Sequence, residues 1–434
     1  MALVSFTFGC GQGATKAMIA CIEAGVLDKD YCRVVNSTIK DVPAEYQRDA
    51  IIISDDPNAG CGKVREAAKV LMNDYIKNNQ GIFDELISED VDYVNILATS
   101  EGASGSGSSV VLAQYIKKQL EIPVIVTLIS GFENDSRGLQ NTINYFRDLN
   151  GGNFTVNAIS DKRLLKEANN NTFIAEGMAN ESIVNDFRIL NADGIIDSDQ
   201  NIDDTDHYKL ITNPGLMFRG EVLFTDRIKN KDQFNKLIGD MIDETTSLDF
   251  DASATKVGIF MNLSDSTLAV IDTSFDSVKK KLCSAVIPEF FIHKQYDGKQ
   301  EFVRIIASGM NLPKQEISDM YEKYKKAVEM VNASKDDFFD ALDNMDTVNS
   351  VTIERDHSTN DNSFFDQFED TTASEEASSV LGRNKRKRFG ASSGKTSNIE
   401  SESRSDEASA KKEKSNKFST KKTEPFSEDA INKY

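Results

Sequence analysis

The strongest constraint on the fold is a pair of glycine-rich segments, each placed between an apolar run and a helical pattern. The first, residues 9–15 (GCGQGAT), follows the apolar run LVSFT at 3–7. The second, residues 101–108 (EGASGSGS), follows YVNILA at 93–98. A glycine-rich turn from strand to helix lets backbone N–H groups approach a phosphate at the positive end of the helix. Two such turns at the ends of neighbouring strands can enclose a polyphosphate, which predicts a nucleotide-binding site.

The first 130 residues repeat an apolar run, a turn and a helical stretch, which is typical of a parallel sheet with crossover helices. Further near-continuous apolar runs, as expected for strands buried on both faces, lie at 33–35 and 124–129, with a shorter one at 51–53. Helical spacing predicts helices over 16–25, 64–77 and 109–120. The sequence therefore predicts an α/β fold of the nucleotide-binding class.

The remainder of the chain divides by composition. Apolar positions at helical spacing predict one long helix over 172–196, and a smaller α/β region follows with the strand-like runs KVGIFM, EFFIH and FVRIIA. Pro313 opens another helix, and beyond Met345 the composition is Ser, Thr, Asn and charged residues, which is typical of disorder. We expect a nucleotide-binding domain (1–171), a central helix (172–199), a second domain (200–312), a C-terminal helix (313–345) and a disordered polyampholyte tail (346–434).

Charge separates the body of the chain from its last segment. The 434 residues carry a formal charge of −20, so the folded body is expected to repel nucleic acid phosphates. Within the tail, residues 351–382 sum to −7 and residues 383–434 sum to +6. Only the last segment is therefore expected to contact DNA directly, and only weakly and without sequence readout.

Several other classes of protein are disfavoured by patterns that the sequence lacks. No window holds eighteen uninterrupted apolar residues, so no membrane contact is expected. The five cysteines lack C-x-x-C spacing, the three histidines are far apart, and the amino end has no features of a signal peptide. We therefore expect a cytoplasmic protein with reduced thiols and no metal site built from its side chains.

Two well-known phosphate-binding motifs fit poorly. Gly9, Gly11 and Ala14 match the G-x-G-x-x-A pattern of dinucleotide-binding folds, but the second strand ends VVNST at 34–38 without the carboxylate that holds a ribose diol. A Walker loop would need Ser or Thr after Lys63, where this chain has valine. The glycine segments therefore favour neither motif.

The order of the motifs resembles the tubulin/FtsZ superfamily over residues 1–312. Residues 102–107 resemble its signature G-G-G-T-G-[ST]-G, with Ala103 in place of a glycine and Ser104 in place of the threonine, and residues 9–14 resemble its first phosphate loop. Further similar segments are FENDSR at 132–137, DKRLL at 161–165, GMAN at 177–180, NIDDTD at 201–206 and VRIIASGMN at 303–311. Glu176 departs from the family, because it stands where FtsZ has the Phe that stacks on the base; Phe173 is a candidate substitute.

This resemblance implies a parallel-sheet GTPase domain that binds GTP or GDP with Mg²⁺ and is joined by the central helix to the second domain. Asp161 lies near the family's base-reading Asn, and a carboxylate there would accept from guanine and favour GTP over ATP. The residues expected to bind the nucleotide are Gly9, Cys10, Gly11, Gln12, Gly13, Ala14, Asn36, Gly60, Gly102, Ala103, Ser104, Gly105, Ser106, Gly107, Glu133, Arg137, Asp161 and Asn180.

Asp203 and Asp206 are the expected catalytic acids. Their residue type alone indicates the acidic first turn of a helix, where negative charge interacts favourably with the helix dipole. The resemblance implies instead that they complete the active site of the neighbouring subunit and orient water there. Such a head-to-tail contact does not close on itself, so it predicts a filament whose assembly is coupled to GTP hydrolysis.

The helix after the second domain and the basic tail are similar to the arrangement in TubZ, the plasmid- and phage-borne branch of the superfamily, and in the related phage tubulins. That branch implies plasmid or phage DNA segregation through a DNA-binding adaptor held by the tail. Two alternatives stay open: a division-type or phage-DNA-centring filament, and a nucleotide-binding scaffold that does not hydrolyse.

Overall fold

The computed structural model describes residues 3–342, apart from 59, 80, 245, 246 and 272, with side chains placed up to residue 330. The strands found there form one sheet in the order β3-β2-β1-β4-β5-β6-β7-β10-β8-β9. They are β1 (Ser5–Cys10), β2 (Cys32–Asn36), β3 (Ile51–Ile52), β4 (Tyr93–Thr99), β5 (Val124–Ser130), β6 (Thr155–Ser160), β7 (Gly215–Leu223), β8 (Lys256–Asn262), β9 (Glu289–Gln295) and β10 (Phe302–Met310).

Helices connect the strands and cover the sheet. They are α1 (Gly11–Glu23), α2 (Arg65–Asn78), α3 (Ile82–Leu86), α4 (Ala103–Tyr115), α5 (Ser136–Gly152), α6 (Asp161–Glu167), α7 (Thr172–Leu190), α8 (Asp204–Ile211), α9 (Lys231–Asp243), α10 (Asp265–Leu268), α11 (Asp276–Leu282) and α12 (Lys314–Leu342). A π-helical turn, Ile116–Leu120, extends α4, and short 3-10 turns lie at Lys29–Tyr31, Ile39–Asp41 and Ala44–Tyr46.

The direction of the strands fixes the two ends of the molecule. Strands β1 to β6 run parallel, and β7 continues them in parallel register with β6. Strand β10 is antiparallel to both β7 and β8, and β9 runs parallel to β8. The register places the ends of β1, β4 and β5 at one edge, which we call the carboxyl edge. The starts of β4, β5, β6, β8 and β9 lie at the opposite, amino edge.

The predicted α/β class is confirmed, and the apolar runs did mark most of the strands. The sequence did not predict β6 and β7, because both strands bury polar residues. Strand β6 buries Thr155 and Asn157, and β7 buries Arg219. Helices α1 and α4 begin at Gly11 and Ala103, five or six residues earlier than the apolar spacing predicts. The glycine segments are therefore largely the first turns of helices rather than loops.

Helix α7 starts at Thr172, where the sequence predicts a long helix, but it ends at Leu190. Its buried side, with Ala175, Ala179 and Ile183, packs in a cluster with Ala14 and Met18 of α1. The sheet is continuous past the predicted boundary between the two domains, and that division stays a prediction. The predicted tail, 346–434, lies outside the described residues. No helix within the described ranges is both long and apolar enough to cross a membrane.

Candidate nucleotide-binding site

A cavity of about 390 Å³ opens at the carboxyl edge, where β1, β4 and β5 end. This volume lies within the usual range for a small-molecule site. Its walls come from the two glycine segments, from the loops after β5 and β6 and from the first half of α7. The lining residues are Gln12, Gly13, Lys16, Lys63, Thr99, Glu101, Gly102, Ile129, Gly131, Phe132, Asp161, Glu176, Ala179 and Asn180.

Two helix amino ends meet at this cavity. Helix α1 starts after Cys10 and α4 after Gly102, and neither end has a side-chain cap. The first backbone N–H groups of each helix therefore stay available to an anion, and both helix dipoles favour negative charge. A Cβ on Gly105 would lie 2.9 Å from the Thr99 carbonyl oxygen and 3.1 Å from that of Cys10. Glycine at this position thus lets the two helix ends approach each other.

Glu101 brings a carboxylate into the cavity between these helix ends and the loop after β5. Its Oε1 accepts a hydrogen bond of 2.7 Å from the Glu133 N–H. The side chain lies directly over Gly131, where a Cβ would come 2.1 Å from the Glu101 Cδ. Burial raises the pKa of the Glu101 carboxyl above its usual value. Gly131 is therefore required for Glu101 to face the cavity.

Two lysines give the cavity its positive charge, and each is paired with a carboxylate. Lys16 Nζ lies 3.4 Å from Glu176 Oε2, which links α1 to α7. Lys63 Nζ lies 2.7 Å from Asp135 Oδ2, in the loop that precedes α5. The two ammonium groups stand on separate walls of the same cavity and are at least half-exposed.

Asp161 forms part of the wall beside α7. It is the first residue of α6, is almost fully buried, and its Oδ1 has no hydrogen-bond partner among the described residues. Burial, reinforced by the charges of Glu101 and Glu176, raises the pKa of Asp161 to about 8. A buried polar atom without a partner is costly unless a ligand satisfies it. Together with Asn180, Asp161 offers hydrogen-bonding groups to a polar ring.

The cavity gathers five of the predicted nucleotide-binding residues: Gln12, Gly13, Gly102, Asp161 and Asn180. Several of the others pack or pair elsewhere. Gly107 faces α2, where a Cβ would lie 2.5 Å from the Arg65 carbonyl oxygen. Cys10 is fully buried, and burial raises the pKa of its thiol to about 12, so it is not a poised nucleophile.

The carboxylate of Glu133 is paired away from the cavity. It is buried and accepts from Lys162 Nζ at 3.3 Å and from Lys323 Nζ of α12 at 2.9 Å. The remaining predicted residues are not among those that line the cavity. Asn36 ends β2, Gly60 is exposed before α2, and Arg137 is in the first turn of α5. The others stand in or beside β1, α1 and α4: Gly9, Gly11, Ala14, Ala103, Ser104, Gly105 and Ser106.

Asp203 and Asp206 lie outside the cavity. Asp203 caps α8, where its Oδ1 accepts from the Asp206 N–H at 2.8 Å, and Asp206 lies 3.5 Å from Lys209 Nζ. Asp203 therefore caps helix α8, which fits the position in an acidic first turn that its residue type alone indicates. The segment before it is held to β9, since the Ile202 N–H donates to His293 Nδ1 at 3.4 Å.

Most of the charged groups of the cavity belong to residues that the sequence pattern did not assign to the ligand: Lys16, Lys63, Glu101 and Glu176. Lys16 could have been found, because it lies one helical turn beyond Gln12 once α1 is known to start at Gly11. Glu101 directly precedes the second glycine segment. Lys63 and Glu176 come from distant segments, and only the packing of the fold brings them here.

An α/β sheet with a cavity at its carboxyl edge, between helix amino ends, is the arrangement in which open α/β folds bind ligands, nucleotides among them. No protein-family model matches the chain, and no curated protein matches it in sequence. Solved structures do match. The GTPγS-form protofilament of TubZ from Bacillus thuringiensis serovar israelensis aligns over 77% of this chain and 94% of that chain, with a TM-score of 0.64 and 16% identity.

Two further structures agree. TubZ of Clostridium botulinum phage c-st aligns over 76% of this chain and 98% of its own, with a TM-score of 0.57 and 15% identity. CetZ2 of Haloferax volcanii, a GTPγS-bound protofilament, aligns over 76% and 100%, with a TM-score of 0.60 and 16% identity. The chain therefore has the tubulin/FtsZ fold in a form that resembles TubZ.

Proposed function

We propose that this protein is a GTPase that assembles into filaments. The observation that carries the proposal is the cavity between the uncapped ends of α1 and α4, in a fold similar to TubZ structures in GTPγS and GDP forms. The phosphates of GTP would lie against the backbone N–H groups at Gln12, Gly13 and Gly102, because neither helix has a side-chain cap and the helix dipoles favour anions. The guanine would lie against Asp161 and Asn180.

Magnesium fits the donors that the cavity offers. Glu101, Gln12 and Thr99, whose side chains contain oxygen atoms, line the cavity. Mg²⁺ prefers oxygen ligands and usually takes one or two carboxylates together with substrate phosphates. The described residues contain no group of three or more His, Cys, Asp or Glu able to hold a metal ion, so phosphate oxygens would supply much of the coordination. When bound, Mg²⁺ neutralises phosphate charge.

Hydrolysis would take place between subunits. Glu176 lines the cavity, and Leu190 at the end of α7 lies about 21 Å further along the helix axis. Leu190 packs with Tyr93 and Ile125 at the starts of β4 and β5, toward the amino edge. Asp203 and Asp206 follow this end of α7, so they would reach a phosphate on the next subunit and orient water there.

The two edges of the sheet carry apolar side chains suited to such a head-to-tail contact. Phe173, 85% exposed, and Ile174 stand at the start of α7, one turn from the cavity. Ile287, 99% exposed, and Val286 precede β9 at the amino edge. Large exposed apolar side chains mark interaction surfaces when they cluster. Different surfaces at opposite ends give a contact that repeats without closing.

The test of the proposal is assembly followed together with phosphate release. With GTP and Mg²⁺ we expect light scattering to rise and phosphate to be released at a rate that increases with protein concentration. Asp203→Asn is the informative variant, since asparagine keeps the cap of α8 and removes the carboxylate. We expect it, and Asp206→Asn, to bind GTP and assemble but to release phosphate at least about 100-fold more slowly.

Two outcomes would count against the proposal. Unchanged turnover in both aspartate variants would exclude catalysis by these acids. Assembly of the unmodified protein without phosphate release would instead favour the scaffold that does not hydrolyse.

The proposed organisation follows the predicted parts, with a GTP-binding domain at 1–171, the connecting helix, a second domain at 200–312, α12 and the tail. We propose that the tail holds a DNA-binding adaptor, so that the filament segregates plasmid or phage DNA in the cytoplasm. The basic segment 383–434, with its net charge of +6, supports an attraction to DNA or to an acidic partner. Removing 383–434 should abolish segregation and spare assembly; retained segregation would favour a division-type or DNA-centring filament.

A further inference from the structure

Lys63 is one of the charged residues of the cavity to which the proposed function gives no role. It stands in the segment GCGKV, directly before α2, and it lines the same cavity as Gly102 and Glu101. Lys16, the other lysine of the cavity, lies with its partner Glu176 and with Ala179 and Asn180 on the α7 wall. Lys63 is therefore the cation placed beside the second glycine segment.

The backbone around Lys63 is held in an uncommon conformation. Gly62 and Lys63 have φ angles of +59° and +61°, in the left-handed region. A lysine in that region is strained, and such residues persist where the surroundings fix them. The side chain of Asn141 holds this backbone in place. Its Nδ2 donates to the Lys63 carbonyl oxygen at 3.1 Å and to the Glu101 carbonyl oxygen at 2.9 Å. One buried amide thus ties Lys63 to the start of the second glycine segment.

Asp135 holds the ammonium group in the absence of a ligand. Its Oδ2 lies 2.7 Å from Lys63 Nζ, and its Oδ1 accepts from the Gly138 N–H at 2.7 Å as the cap of α5. These contacts lower the pKa of Asp135, so it remains ionised. The charge of Lys63 also acts on the Glu101 carboxylate. Because the pair is about half-exposed on both sides, it is weak and easily exchanged for a stronger anion.

We propose that Lys63 distinguishes a nucleoside triphosphate from a diphosphate by leaving Asp135 to bind the terminal phosphate. This inference rests on the proposed function, since it assigns a residue of the same site. A terminal phosphate brings more negative charge than the single carboxylate of Asp135, and a lysine on a flexible stem can swing between the two. The strained backbone positions the stem so that only the ammonium has to move.

The direct test is the ratio of GTP to GDP affinity, measured by equilibrium titration of the full chain with each nucleotide. Lys63→Gln keeps the size of the side chain and removes its charge. We expect its GTP affinity to fall about tenfold or more and its GDP affinity to change less than twofold, as for one charge-assisted contact made only to the third phosphate. Lys63→Arg should restore most of the ratio.

Two matched variants separate this role from a general effect of charge. Lys16→Gln removes the other lysine of the cavity and should leave the ratio of GTP to GDP affinity within twofold of that of the unmodified protein. Asp135→Asn retains a cap for α5, releases Lys63, and should raise the affinity for GTP more than that for GDP. A ratio that is unchanged in Lys63→Gln, or lowered equally by Lys16→Gln, would overturn the inference.

The same titrations distinguish this inference from the function on which it rests. If the unmodified protein binds GTP and GDP and the Lys63 variants have the same ratio of GTP to GDP affinity, only the role proposed for Lys63 is wrong. If the unmodified protein binds neither nucleotide, the proposed function is wrong and the role of Lys63 falls with it. Thermal unfolding of each variant shows whether a loss of binding reflects a loss of the folded state.

Discussion

Asp161 shows how one buried side chain can set the chemistry of a site. Desolvation raises its pKa to about 8, so at neutral pH the empty site holds a mostly protonated carboxyl group. Guanine presents N–H donors, and the ionised carboxylate accepts from donors better than the acid does. Under the proposed function, binding of GTP would therefore be linked to the loss of this proton.

This linkage gives a pH dependence with a definite sign. Because the ligand prefers the ionised form, the affinity for GTP should rise with pH from about 6.5 to 8 and level off above the pKa of the empty site. The expected change is close to tenfold per pH unit at most, since one proton is released. Titrations with GTP across this range would measure it.

Asp161→Asn removes the titrating group and serves as the matched variant. Its affinity for GTP should be lower at pH 8 and nearly independent of pH between 6.5 and 8. If Asp161→Asn retained the full slope, the slope would belong to another group.

At the scale of elements, the site depends on how closely α1 and α4 approach each other. The approach is possible because the first turns of both helices contain glycine, and Gly105 lies against the carbonyl oxygens of Thr99 and Cys10. Glycine inside a helix normally lowers stability. Here that cost is offset by a contact between helix ends that no larger residue permits.

Gly105→Ala should therefore destabilise the protein by about 1–3 kcal/mol, because the methyl group would overlap two backbone carbonyls. Gly177→Ala in α7 is the control, since no atom lies within 4 Å of the added Cβ, and it should stabilise the protein by about 0.5–1 kcal/mol. Free energies of unfolding in urea would measure both. Equal effects of the two substitutions would show that helix propensity alone matters at Gly105.

A second contact between elements joins α7 to β7 through a buried ion pair. Arg219 Nη2 donates to Asp186 Oδ2, and both residues are more than nine-tenths buried. The pKa of Asp186 is nevertheless raised, because desolvation outweighs the charge of the arginine. A buried pair of this kind is costly to break from one side only.

Arg219→Met should lower the free energy of unfolding by roughly 3–5 kcal/mol, because it leaves an unpaired carboxylate in the interior. Adding Asp186→Leu should recover much of that loss, since the second substitution removes the buried charge. The pair of measurements is a double-mutant cycle in thermal or urea unfolding. If the double variant were as unstable as the sum of the single ones, the two side chains would not be coupled.

At the scale of the whole molecule, the sheet has two unlike ends. The carboxyl edge carries the cavity and the exposed Phe173, and the amino edge carries the exposed Ile287. Under the proposed function, a head-to-tail filament would bury both of these large apolar side chains, which are exposed on a chain with a formal charge of −20.

Phe173→Asp and Ile287→Asp should each raise the protein concentration needed for assembly with GTP by about tenfold or more, because each places a charge in an apolar contact. Val70→Asp alters an exposed apolar residue of α2, whose other side packs on α4, and should leave that concentration within twofold. Sedimentation of polymer from monomer gives the concentration directly. An equal effect of all three substitutions would point to loss of solubility instead of a specific interface.

The sequence alone was sufficient to predict those parts of the fold that apolar runs and glycines mark. It predicted the α/β class, eight of the ten strands of the described residues and the two glycine segments that flank the cavity. It failed where burial and polarity conflict: Arg219 in β7 and Asn157 in β6 interrupt the apolar pattern of buried strands. The first turns of α1 and α4 were also missed, because glycine and serine are poor helix formers outside their tertiary setting.

What the sequence by itself determined was the α/β class, the strands that read as apolar runs and the place of the two glycine segments, because these follow from local spacing and backbone freedom. What only the tertiary structure decided was which side chains face the cavity. Lys63 and Glu176 come from segments more than 100 residues apart, and Glu133, expected at the ligand, turns to the lysines at 162 and 323. The direction of a side chain depends on the packing of distant elements, and spacing along the chain does not contain that information.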